Sequence, residues 1–598
     1  MSDSTDNSAN DYTVNNVTSA QLDRIAANGM WTSPASIDQD AVNLCEALVA
    51  VLQGTAPQSV LTPELQQLVT QVQGVAGIGF PWIATGDGVK LSAHSIKLKT
   101  SEPRPVVIVP AGWTPFGWVL FEYAYLQLAL RGYHVLGYTP RGIGYTVKIP
   151  GGGYIDSPFT SGGTIDVAGP KDWTDGSTVI DYAMRTFNPS KVAFLGESYG
   201  SGISQLVAAH DPEDRVAAVV ALSTWRNLAD ALLQHDTRHV AAVQTLVDFT
   251  GGPIERKFDA ETRELLDDFF AGQNLGKVTA WGLERSPESY RKETNTRGIP
   301  TFISNTWHET LFPVNQIVAD FDELRVPKRL NLWIGDHAAP EGAGLSIPLS
   351  GPNVPVAEAF AWLDYHVLGA PNDVPTWQPV SSQVMFSPDV RESAASWSDV
   401  TTEALRLHLG RGTNGGDGTL GDAENTGWAK DFTAGEETEA TAVDKIMTTG
   451  QQEWQGNPKS YATGKFDRQY VAVWTSEALP GGLNEVSLRV RGVPRVRLTV
   501  RSTAESTTLV AYLFDVAADN SARIITHEPY TLGDLTPDQD QTVEWALQAA
   551  AYDVAAGHRL MLVVGSEDQL YSNANVDGST TIISSTDGDA AHLDVPLG

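Results

Sequence analysis

One short stretch limits what this chain can become. Gly196-Glu197-Ser198-Tyr199-Gly200 lies between an apolar, β-rich run, Lys191–Leu195, and a helical stretch carrying Ile203, Leu206 and Val207. A serine on so tight a strand-to-helix turn needs small residues two places before and two places after it. Gly196 and Gly200 meet that need. The pattern alone also fits an ordinary glycine-rich loop, and only the strand before and the helix after give it weight. In that context the serine stands at the carboxyl edge of a sheet, with the Tyr199 N–H aimed at a carbonyl oxygen.

The surrounding sequence supplies such a sheet. From about residue 77, short apolar runs alternate with helical or loop stretches: Val106–Val109, Val135–Tyr138, Val192–Leu195, Val216–Leu222, Thr301–Ser304 and Leu330–Ile334. This is the pattern of a parallel sheet covered on both faces. Gly176, Val179, Ile180, Ala183 and Phe187 predict one covering helix over 171–187. Two earlier helices are expected at about Asp38–Leu52 and Thr62–Val72, the second capped by Thr62, opened by Pro63 and ended at Gly74. Residues 1 to about 20 read as disordered.

Between 225 and 295 the strand signal disappears. Leu228, Leu232, Val240, Val243 and Leu246 suggest one helix, and Leu265, Leu266, Phe269 and Phe270 another, as in a cap. After about 375 the period changes to two. Val486, Leu488 and Val490 alternate with Ser487, Arg489 and Arg491, and Val496, Leu498 and Val500 repeat the pattern. An antiparallel β-sandwich is expected there. The domains are therefore 1–76, a disordered start and helical extension; 77–224 with 296–374, an α/β core; 225–295, a helical cap; and 375–598, a β-sandwich.

Bulk properties exclude several function classes. The chain has 40 Lys and Arg against 72 Asp and Glu, a net charge of −32, which repels phosphate backbones and anionic lipid heads. Nucleic acid and membrane are not expected partners, and a solvated acidic coat accounts for the charge. The single cysteine, Cys45, cannot form an intramolecular disulfide and reads as a small core residue. Met1–Asn16 has neither a basic nor an apolar signal region, and no stretch approaches a membrane span. The expectation is a cytoplasmic protein. No metal or nucleotide motif competes, and no cofactor is expected. Arg141-Gly142-Ile143-Gly144 lacks the rest of a dinucleotide fingerprint, and Gly151-Gly152-Gly153 has no P-loop lysine.

An attacking serine needs a base and a carboxylate, in the chain order Ser, acid, His for this fold. His337 follows the late run Leu330–Ile334, where the base must sit to reach the elbow. His210, His235 and His239 lie too early or in the cap, His366 falls in a helix-like run, and His408, His527, His558 and His592 belong to the β-domain. The best acid is Glu309, after Thr301–Ser304, with Asp320 and Asp322 as competitors in the next helix. His308 reads as a bystander or substrate contact. Oxyanion donors are expected from the Tyr199 N–H and from Gly112 or Trp113, in the loop after Val106–Val109.

Taken together, these segments resemble the family of X-prolyl dipeptidyl-peptidases, cocaine esterase and α-amino-acid ester hydrolases. The resemblance rests on Asp87–Leu91, Arg141–Gly144, Asp172–Phe187, Gly196–Gly202, Trp307–Pro313, Gly335–His337 and, in the β-domain, Tyr552–Leu560. It covers roughly 78–598 and implies an α/β-hydrolase core with a C-terminal jelly roll. By that resemblance Ser198 is the nucleophile and His337 the base. The acid is usually aspartate, where this chain has Glu309. The esterase branch also places a tyrosine hydroxyl in the oxyanion hole, where this chain reads Gly112-Trp113, so a backbone donor is expected instead.

The reading is a serine hydrolase that cleaves a small ester, an amide or a short peptide through an acyl-enzyme on Ser198. A homo-oligomer is left open. The first alternative is a dipeptidyl-peptidase releasing Xaa-Pro. The second is a non-catalytic protein that binds carbohydrate or a partner on an aromatic platform of Trp454, Tyr461, Tyr470 and Trp474.

Overall fold

The computed structural model describes residues 39–149, 151–347, 353–412, 416–482 and 485–598. The stretch expected to be disordered, 1 to about 20, lies outside them. All six apolar runs are strands of one sheet. Its middle runs His134–Tyr138, Val106–Pro110, Val192–Glu197, Val216–Leu222, Thr301–Thr306, Lys328–Trp333, each parallel to the next. Lys90–Leu98 joins one side antiparallel, and Val380–Gln383 extends the other.

The strands are apolar on successive residues because both faces are covered. Val107, Val109, Leu195 and Val220 pack with the helices Gln39–Leu52, Pro63–Val75, Glu122–Arg131 and Val354–Leu363. Val106, Ile108, Phe194 and Val219 pack on the opposite face with Pro170–Phe187 and Tyr199–His210. Cys45 is fully buried in the first of these layers. The helix expected to stop at Gly74 continues to Val75, and its C-cap, Ala76, opens a strand paired with Leu98.

The Arg141 loop is held by ion pairs. Arg141 donates from Nε and Nη2 to the two oxygens of Asp175, both at 2.8 Å, and from Nη1 to Asp87 at 3.1 Å. A planar guanidinium matches a carboxylate in this two-point way. Three of the segments that carry the resemblance are thus joined through the buried Arg141 side chain.

The cap differs from expectation at its start. Leu228 to Leu246 is two helices, Leu228–Leu232 and Val240–Asp248, separated by a small hairpin pairing Leu233 with Arg238 and Gln234 with Thr237. His235 and Asp236 at its tip have φ of 51° and 56°, the left-handed geometry of a two-residue hairpin turn. The β-domain holds that turn, since the Thr531 N–H donates to the His235 carbonyl at 3.0 Å. Apolar spacing carries no trace of a contact made so far along the chain. Ala260–Ala271 is a helix as expected, and Leu275–Glu284 and Arg291–Arg297 complete the block.

The C-terminal part is β-rich. Val496, Leu498 and Val500 are fully buried, as alternation requires. Val486–Gly492 breaks the rule: Val486 is 50% exposed and Arg491 only 2%. A bulge between Val486 and Leu488 shifts the register. Arg491 is drawn inward by Glu392 and Asp553, at 2.7 and 2.6 Å. Nor do the four aromatics form a platform. Trp474 and Tyr461 are buried in different cores, and Trp454 packs edge-on against Trp333. The helix Asn315–Phe321 shares one apolar core with the β-strands, so the two large units are packed as one interior.

Candidate active site

The strand Val192–Glu197 ends in Ser198, whose φ of 54° and ψ of −124° are strained for a residue with a side chain. Its neighbours explain how that geometry survives. A Cβ on Gly196 would strike the Gly200 carbonyl, and one on Gly200 would strike the Pro110 carbonyl. The Ser198 N–H is bound to the Leu222 carbonyl at 2.9 Å, which ties the turn to the next strand.

His337 arrives from the loop after Lys328–Trp333, and Glu309 from the loop after Thr301–Thr306. His337 Nε2 is 2.7 Å from Ser198 Oγ, and Nδ1 is 3.0 and 3.1 Å from the two oxygens of Glu309. Glu309 Oε1 also accepts from the Leu311 and Phe312 N–H groups at 3.0 and 3.3 Å, which fixes the carboxylate. All three residues are buried. Asp320 and Asp322 are elsewhere. Asp320 is paired with Arg226 and Arg291, and Asp322 accepts from the Trp397 and Ser398 N–H groups at 2.8 and 2.9 Å.

Of the expected oxyanion residues, Gly112 lies against the elbow. A Cβ there would sit 2.8 Å from Glu197 Oε2 and 3.6 Å from Ser198 Cβ. The Trp113 indole donates to the Leu246 carbonyl at 2.8 Å and its ring meets Tyr199 edge-on at 5.2 Å. The Tyr199 phenol donates to buried Asp172.

Three acidic residues of the site were not singled out by sequence reasoning. Glu197 occupies the variable position of the Gly-x-Ser-x-Gly pattern, and its Oε1 is 3.9 Å from His337 Nε2. Burial pushes its carboxyl up to about 7. Asp336 is fully buried, accepts from the Thr310 and His337 N–H groups, both at 2.7 Å, and from the Met447 N–H at 3.0 Å. Glu341, also fully buried, accepts from Ser223 Oγ at 3.0 Å and from Ser304. Burial opposes a charge on His337, but Glu309, Glu197 and Asp336 outweigh it and raise the imidazole to about 9. Asp336 and Glu341 offered no signal in the sequence, because Thr310 and Met447, and Ser223 and Ser304, which they bind, lie far from them along the chain.

Both ring nitrogens of His308 are engaged by the β-domain. Its Nδ1 is 2.8 Å from Glu453 and its Nε2 3.2 Å from the Ile525 carbonyl, both in the β-domain. The β-domain helix Thr448–Trp454 therefore abuts the His337 loop, and Gly450 permits it, since a Cβ there would collide with Asp336. Among the described residues no group of three or more His, Cys, Asp or Glu could hold a metal ion, and no helix is long and apolar enough to cross a membrane.

Comparison with known proteins agrees with this architecture. Residues 87–339 match the model of the X-Pro dipeptidyl-peptidase (S15 family), and residues 372–593 that of the X-Pro dipeptidyl-peptidase C-terminal non-catalytic domain. No curated protein matches the chain in sequence. Among solved structures, an aminopeptidase from a marine sediment Thaumarchaeota archaeon is similar at 14% identity, TM-score 0.63, over 88% of this chain and 96% of that one. An α-amino acid ester hydrolase is similar at 15% identity, TM-score 0.63, over 88% and 97%. A CocE/NonD family hydrolase from Staphylococcus aureus follows at 12% identity, TM-score 0.60, over 88% and 94%. At such identities the structures speak to the fold alone. With both large units matched in the order they take along the chain, this protein belongs to the X-Pro dipeptidyl-peptidase (S15) family of serine hydrolases.

Proposed function

We propose that the protein hydrolyses a carboxylic ester or amide through an acyl-enzyme on Ser198, with His337 as base and Glu309 as the acid that orients it. The observation that carries this reading is the unbroken line from Ser198 Oγ through His337, at 2.7 Å, to Glu309, at 3.0 Å. Ser198 loses its proton to Nε2 as Oγ attacks the carbonyl carbon. The leaving group departs with that proton, and water then resolves the acyl-enzyme by the same route reversed. Backbone N–H groups of Tyr199 and of Gly112 or Trp113 are the proposed oxyanion donors, supported by the approach of the Gly112 loop to Ser198.

A second reading, release of Xaa-Pro dipeptides, draws support from the family model that matches residues 87–339. A jelly-roll topology for the C-terminal part and a cytoplasmic location belong to the same proposal. The test is covalent labelling of Ser198 by a serine-directed phosphonate, alongside initial rates on a short-chain p-nitrophenyl ester and on Ala-Pro-p-nitroanilide. Ser198→Ala should lose labelling and turnover together. Appreciable turnover by that variant would sink the assignment.

A further inference from the structure

Two cavities meet at Ser198, and their chemistry differs. One, of about 370 Å³, is bordered by His337, Glu197 and Thr114 and by Met447, Gln451 and Gln455 of the β-domain. The other, of about 90 Å³, runs under the cap and is bordered by Leu232, Val243, Leu266, Phe269 and Trp281. None of the residues around this second cavity is charged. Its few polar groups are largely engaged already: the Trp113 indole with the Leu246 carbonyl and the Trp225 indole with the Arg285 carbonyl, each at 2.8 Å, and the Tyr199 hydroxyl with Asp172.

The chemistry of acyl transfer decides which part of a substrate enters which cavity. As the Ser198 Oγ–carbon bond forms, the bond to the leaving atom breaks, and the proton taken by His337 Nε2 passes to that atom. The leaving atom must therefore lie beside Nε2. His337 borders the larger, more polar cavity and not the apolar one. Toward the apolar side the Phe312 ring stands edge-on to the imidazole, centroids 5.2 Å apart, and itself lines the apolar wall.

We propose that the apolar cavity under the cap is the acyl site, and that the substrate is an ester or amide of an uncharged, apolar acyl group whose polar leaving group occupies the cavity shared with the β-domain. This rests on Ser198 as nucleophile. An aminoacyl or dipeptidyl substrate would bring its ammonium into the acyl site, whose bordering residues include no carboxylate. Burying an unpaired charge is costly, so this assignment disfavours such substrates.

The experiment compares kcat/KM for p-nitrophenyl acetate, octanoate and 7-aminoheptanoate, the last matching octanoate in length but ending in an ammonium. Octanoate should exceed acetate by at least about tenfold, as added methylenes in an apolar pocket allow. It should exceed the ammonium ester by about a hundredfold or more, because that charge is left unpaired. Leu266→Trp, which fills the cavity, should lower the octanoate-to-acetate ratio by about tenfold. Binding of the octanoate ester to Ser198→Ala should change the fluorescence of the tryptophans that line the cavity. Equal rates on acetate and octanoate, efficient use of 7-aminoheptanoate, or turnover of Ala-Pro-p-nitroanilide would overturn the acyl assignment and leave the role of Ser198 standing. Turnover that survives in Ser198→Ala would overturn the nucleophile, and the acyl assignment with it.

Discussion

Glu197 Oε1 lies 3.9 Å from His337 Nε2, the nitrogen that faces Ser198, while Glu309 holds the other nitrogen. The imidazole thus sits between two carboxyl groups, one of them contributed by the elbow itself. An anion at that distance favours imidazolium and so delays the neutral form that the proposed mechanism requires to accept the serine proton.

The first consequence is a pH profile. With His337 raised to about 9, kcat/KM on an ester should climb with pH through the neutral range. Glu197→Gln removes a negative neighbour, so the imidazole releases its proton more readily and the midpoint should move to lower pH. Rates measured from acid to alkaline pH on both proteins decide it. An unmoved midpoint would disconnect Glu197 from the base.

Glu309→Gln keeps the shape but loses the charge that holds His337 in its working tautomer. A fall in kcat of about three to four orders of magnitude is expected, by analogy with other triads. Asp320→Asn tests the competing acid. It should leave kcat close to that of the parent and instead destabilise the fold by about 3–5 kcal/mol, since Arg226 is buried with it. Thermal melting and steady-state kinetics on the two variants separate the roles.

Gly112→Ala should lower kcat by about two orders of magnitude with little change in Tm. The added methyl would fall 2.8 Å from Glu197 Oε2 and 3.2 Å from its carbonyl, pushing the loop off the elbow. Gly276→Ala is the contrast. It lies within the helix Leu275–Glu284 with open space around it, and should gain about 0.5–1 kcal/mol without touching the kinetics.

The contact between the β-domain and the site should itself depend on pH. Burial opposes a charge on His308, but Glu453 outweighs it and raises the imidazole above its ordinary value. Its contribution to stability is therefore fully present below about pH 6.5 and fades as pH rises past the raised value. Glu453→Gln should remove this dependence and lower Tm most at acid pH, where the parent pair is charged. A variant whose melting curve tracks the parent across pH would dismiss the pair as a clamp.

What the sequence determined by itself is what local chemistry controls. The apolar runs declared the strands because a sheet covered on both faces needs such runs wherever it lies. The elbow was legible in five residues because its steric demand acts within the turn, between Gly196 and Gly200. That His337 and Glu309 would lie near Ser198 was legible in chain order, since a parallel sheet delivers successive loops to one edge. Tertiary structure alone decided the rest. Glu197 stands where any residue is tolerated, and its nearness to His337, 140 positions on, is a fact of the closed sheet. The cap helix broke because the turn at His235 is held by Thr531, and Arg491 went inside because Glu392 and Asp553 were there to meet it. Periodicity reports which face of an element is apolar; it cannot report which distant charge will satisfy a buried one.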